Sequence, residues 1–122
     1  MKIHTRMPVS LKPFFEKELE GAASTFFQNN LAASWRHLER AHVIGQPYPN
    51  EHTLVHLKML MFGIKVKNTR EIIGQIPRLL VGGVKSFVGE VPIGNTGGAN
   101  VPGLKPMDIP KDLLLIIENN TK

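Results

Sequence analysis

Two short breakers, "NN" at 29–30 and "GQPYPN" at 45–50, divide residues 11–63 into three stretches of good helix formers, and this spacing constrains the fold more than any other feature. Stretches of that length and composition predict helices at about 11–28, 31–44 and 51–63. A fourth helix is predicted from "NTRE", where Asn68 suits the N-cap and Glu71 follows at the capping-box spacing. It is expected to reach about Val88, with a kink at Pro77 and a weak point at Gly82-Gly83. Residues 89–110 then change character, concentrating glycine and proline over more than twenty positions, longer than an ordinary connection. Val91, Ile93, Val101, Leu104 and Met107 suggest a strap lying along the helices. Pro110 suits the first turn of a short terminal helix over 111–119. The expected fold is all-α: a compact bundle of about four helices, a glycine- and proline-rich strap and a terminal helix.

The 122 residues suit one domain spanning 1–122, large enough to bury a core without a covalent staple. Cysteine is absent, which excludes disulfides, iron–sulfur clusters and thiolate zinc sites, so any metal must be held by nitrogen, oxygen or thioether. The N-terminal ten residues lack an apolar core, and runs such as "LLVGGV" and "LLLII" are too short to span a bilayer. A soluble, cytoplasmic protein is the expectation. Lys plus Arg number 15 against 10 for Asp plus Glu, but the basic residues spread over several helix faces without interleaved exposed aromatics, which argues against nucleic acid.

The chemistry lies in "SWRHLERAHVIGQ" at 34–46 and "EHTLVHLKMLMFG" at 51–63. An advance of about 100° per residue puts Leu31, Trp35, Leu38 and His42 in one stripe, while His37 falls about 140° from His42. The two histidines of the second helix therefore do not chelate one ion together. Glu39, three residues before His42, shares its face. On the third helix His52 and His56 stand at i and i+4, in line with Met59 and Gly63, and the remaining apolar residues suggest a central position for this helix. An antiparallel hairpin closed by "GQPYPN" would bring His42 to that pair. The candidate metal site is thus His42, His52 and His56, with Glu39 as a further ligand or as the partner that orients an imidazole. Glu71 and Gln75 share a stripe on the fourth helix and are additional candidates; His37 is a further one, read first as a surface residue. Zinc suits such donors best, and copper, nickel, cobalt and iron are compatible.

Plainer roles compete with these. His42 suits a buried histidine bonded to a carbonyl, the His52/His56 pair a solvated first turn, and Glu71 a helix cap. "GNTGGAN" at 94–100 lacks the spacing of a phosphate-binding loop and reads as a tight turn. No serine nucleophile elbow is present.

Together, "WRHLERAHVIGQ", the run H-x-x-x-H-x-x-ML, "REIIGQIPRL" and "VPIGNTGGANVPGLKPMDIP" resemble an uncharacterised bacterial domain-of-unknown-function family of about this length, over most of the chain from Phe14 to Leu114. The resemblance rests on Trp35, His37, Glu39, Arg40, His42, Gln46, His52, His56, Glu71, Gln75, Asn95 and Asn100. It implies a small helical protein of no settled activity, associated with metal-resistance gene neighbourhoods, and it places His37 in the shared signature. Three functions follow as expectations: a metal-binding protein of metal homeostasis or resistance, a tetratricopeptide-like module that binds a protein partner or pairs as a homodimer, or a metal-dependent hydrolase or oxidase.

Overall fold

The computed structural model describes residues 6–76, 98 and 107–121, and it is all-α over them. Helix α1 is Lys12–Phe27, α2 Leu31–Gly45 and α3 Pro49–Lys65; residues 69–76 form α4, and Lys111–Asn120 form α5. The predicted kink at Pro77, the weak point at Gly82-Gly83 and the strap, apart from Gly98 and residues 107–110, lie outside the described residues.

The first breaker is a one-residue reversal. Asn29 takes a left-handed conformation (φ 61°), its N–H bonds to the Phe26 carbonyl, and the Asn30 N–H reaches back to the Thr25 carbonyl. Asn30 then caps α2, its side-chain oxygen accepting from the Ala33 N–H at 3.2 Å. The same device recurs after α3. Lys67 is left-handed (φ 59°), its N–H bonds to the Ile64 carbonyl, and the Asn68 N–H bonds to the Gly63 carbonyl at 2.8 Å. Asn68 in turn caps α4 by accepting from the Glu71 N–H at 3.1 Å. The predicted cap is present, but the Asn68 N–H is already committed to Gly63, so the Glu71 carboxylate is not drawn back into a capping box.

The second breaker is shorter than the sequence suggests. Pro49 is the first residue of α3 rather than part of the turn, because its fixed φ suits the first helical position and the N–H it lacks has no acceptor there. Only residues 46–48 connect α2 and α3, with extended Tyr48 as the cap; its N–H bonds to the Gly45 carbonyl at 2.9 Å. Gln46 and Tyr48 are both buried.

Helix α2 packs against α1, α3 and α5. Its contact with α1 runs over small residues: buried Ser34 donates to the Ala22 carbonyl at 2.7 Å, and the His37 ring lies over Gly21, where an added Cβ would meet it at 2.7 Å. Leu11, Phe15, Leu38, Ala41, Ile44, Val55, Met59 and Leu113 make up most of the apolar core. Trp35 rests against Phe62, ring centres 5.1 Å apart. Helix α3 departs from the expected central position. Its buried stripe is Pro49, His52, Val55, His56, Met59 and Gly63, while Leu54, Leu57, Met61 and Ile64 are exposed. The polar stripe is inside because its nitrogens find partners there, on α2 and α4.

Candidate metal centre

The end of α2 and the start of α3 converge across the three-residue turn, as the hairpin expectation requires. His42 Nε2 lies 3.1 Å from His52 Nε2 and 3.1 Å from His56 Nε2, and the last two are also 3.1 Å apart. All three residues are buried. Their rings meet edge to face or tilted, with centres 4.7–4.8 Å apart, so that each directs one nitrogen toward a common point.

An equilateral triangle of imidazole nitrogens at this distance is a distinctive arrangement. A neutral imidazole nitrogen is either a donor or an acceptor, and facing lone pairs repel unless a proton or a cation lies between them. A metal ion satisfies all three at once. An ion about 2.0–2.1 Å from each nitrogen would lie about 1 Å to one side of their plane. The angles between its bonds would be about 98°, between those of an octahedral face (about 90°) and a tetrahedron (about 109°). Among the described residues these three histidines are the group of three or more metal-ligating side chains able to share an ion.

The surroundings of His56 fix its orientation. Its Nδ1 lies 2.6 Å from Gln75 Oε1, and Gln75 Nε2 donates to Glu71 Oε2 at 2.6 Å. Gln75 is fully buried and Glu71 nearly so. Gly63 admits this pair, since a Cβ there would come within 3.3 Å of the Glu71 Cβ. On the other side, the turn into α3 buries Gln46 and Tyr48 and half-buries Glu51. Burial pushes the Glu51 carboxyl above its usual range against the pull of Lys12, and burial together with nearby Glu51 pushes the Tyr48 hydroxyl up.

Glu39 is half-buried on α2 and is not a member of the three-histidine group. His37 points elsewhere, as the helix wheel predicts. Its Nδ1 lies 2.8 Å from Glu18 Oε1, while Glu18 Oε2 accepts from Arg40 Nε at 3.1 Å. Arg40 continues to Asp112 with both terminal nitrogens, at 2.6 and 3.3 Å. These hydrogen bonds raise the Arg40 pKa and hold the Asp112 carboxyl below its usual range. The shared acid Glu18 went unread in the sequence, although His37 and Arg40, three residues apart on one face, signal a common partner on a neighbouring helix.

The fold and the site together define a small all-α protein with a buried centre of three convergent imidazoles. The chain belongs to a family of proteins of unknown function, DUF3703, whose sequence model matches residues 9–117. No curated protein and no solved structure matches it. No helix among the described residues is long and apolar enough to cross a membrane.

Proposed function

We propose that this protein binds one divalent transition-metal ion through Nε2 of His42, His52 and His56, and that it serves metal homeostasis or resistance by storing, sensing or delivering that ion. The triangle of nitrogens 3.1 Å apart carries this reading. A set of neutral nitrogen donors suits zinc first, with cobalt, nickel and copper as competitors, and offers little to the hard ions magnesium and calcium. Glu39, three residues before His42 on α2, stands as a further ligand or as the partner of an imidazole, and Gln75 with Glu71 supports His56 from α4.

Elemental analysis of chain purified without a polyhistidine tag tests this directly. About one first-row metal per chain is expected, and zinc at a hundredfold excess over its Kd should add about 2.7 kcal/mol of stability. Absence of bound metal together with absence of a thermal shift on adding zinc, copper or nickel would falsify the proposal. The metal-dependent hydrolase reading draws support from one feature, that three protein ligands leave a coordination position open, as catalytic zinc sites do. Hydrolysis of an activated ester by the zinc-loaded chain, lost with His52→Ala, would favour it over storage or delivery.

A further inference from the structure

Building on the metal-centre reading, we propose that Gln75, held by Glu71, is a positioning residue. It fixes His56 as the Nδ1–H tautomer, so that the Nε2 lone pair faces the other two histidines before any metal arrives.

The orientation of the Gln75 amide follows from its two neighbours. A carboxylate only accepts, so the group 2.6 Å from Glu71 Oε2 must be the amide NH2. The carbonyl oxygen is then the atom facing His56 Nδ1 at 2.6 Å, and a carbonyl only accepts. Nδ1 must therefore carry the proton, and the neutral ring keeps Nε2 unprotonated. Charge, amide and imidazole thus form one directional chain ending at the metal-binding atom.

Three independent features set this chain up. The turn at 66–68 gives the Asn68 N–H to the Gly63 carbonyl, and the Glu71 carboxylate accepts from Gln75. Gly63 has no side chain where Glu71 approaches α3. Among the described residues of α4, Glu71 and Gln75 are buried and Ile72 half-buried beside Gly63, while Ile73 and Ile76 are 64% and 47% exposed. An amphipathic helix that only needed to dock would turn its isoleucines inward. Burying an acid and an amide instead is costly unless each is well bonded, and the bonds of these two include the one from Glu71 to Gln75 and the one from Gln75 to His56.

The experiment uses the full chain, uniformly labelled with 15N and free of metal. Long-range 1H–15N spectra should show His56 with a protonated Nδ1 and an unprotonated Nε2. Gln75→Leu should shift His56 toward the Nε2–H tautomer and weaken zinc binding 10–100-fold, measured by competition with a chromophoric chelator, with helicity retained. The paired change Glu71→Gln/Gln75→Glu keeps both a donor and an acceptor in the chain; it should preserve the tautomer and hold zinc affinity within about threefold of wild type or better. Where Gln75→Leu fails to fold, that paired variant decides: loss of the tautomer or of zinc affinity overturns the positioning role. An Nε2–H tautomer in the wild-type chain, or unchanged zinc affinity in folded Gln75→Leu, overturns it as well. Wild-type chain that takes up no zinc overturns the metal centre itself, an outcome separate from zinc binding that ignores Gln75.

Discussion

His37 and His42 stand five residues apart on α2 and have very different surroundings. His42 is buried among two other imidazoles, and an amide, Gln75, stands between one of them and the acid Glu71. His37 is about one-third exposed and faces a carboxylate directly, in a line that continues through Arg40 to Asp112 and ties α1, α2 and α5 together. One side of the helix gathers nitrogens that could hold a cation between them. The other pairs Arg40 with two carboxylates, Glu18 and Asp112. The difference shows that a histidine's neighbours set its role: His37 meets a carboxylate that also serves Arg40, whereas three converging rings could share one ion.

The sharpest way to break this comparison is to empty one side. His52→Ala/His56→Ala should abolish zinc binding altogether, read as metal per chain after dialysis, while far-UV circular dichroism stays close to wild type. His37→Ala should leave one zinc per chain, and equal losses from the two variants would show that the faces are not separate. On the His37 side the effects belong to stability. Arg40→Met keeps the aliphatic stem but removes the bonds to Glu18 and Asp112; an unfolding cost of about 1.5–3 kcal/mol in urea is expected, because a partly buried carboxylate loses a charged partner. Gly21→Ala should cost about 1 kcal/mol or less and lengthen the His37–Glu18 contact, since the new methyl displaces the end of a side chain rather than backbone.

The smallest effect is one of pH. The folded Asp112 carboxyl is held below its usual value, so its contribution is fully present above the unfolded carboxylate value of about 3.9 and is lost as pH falls through the lower folded value. Because Asp112 is exposed, solvent screening keeps that contribution small. Unfolding curves for wild type and Asp112→Asn at pH 7 and near pH 2 should differ at the first and converge at the second.

Much of this was legible in the sequence, for reasons that particular residues make plain. The triad could be read because two helix wheels and one short turn determine it: His42 lies on the stripe of Leu38, His52 and His56 are one turn apart, and "GQPYPN" is too short to keep them from meeting. The stripe linking Glu71 to Gln75 was visible for the same reason. The link from Gln75 to His56 was not, since it depends on how α4 packs on α3 and on a glycine at 63 whose tertiary use no local pattern signals. Pro49 was misplaced because a proline that opens a helix and one that interrupts it look alike in one dimension. The central position expected for α3 follows from its apolar count; the buried nitrogens of its other stripe, which meet His42 on α2 and Gln75 on α4, outweigh that count.

The three nitrogens of the centre come from positions only 10 and 14 residues apart along the chain. Closing so short a loop costs little chain entropy, so the ligands can meet before distant segments have found their places. An ion captured at that stage would act as a clasp on a nascent α2–α3 hairpin, giving α1, α4 and α5 a preformed surface on which to condense. Metal would then change the order and speed of folding as well as the final stability, accelerating refolding more than it slows unfolding.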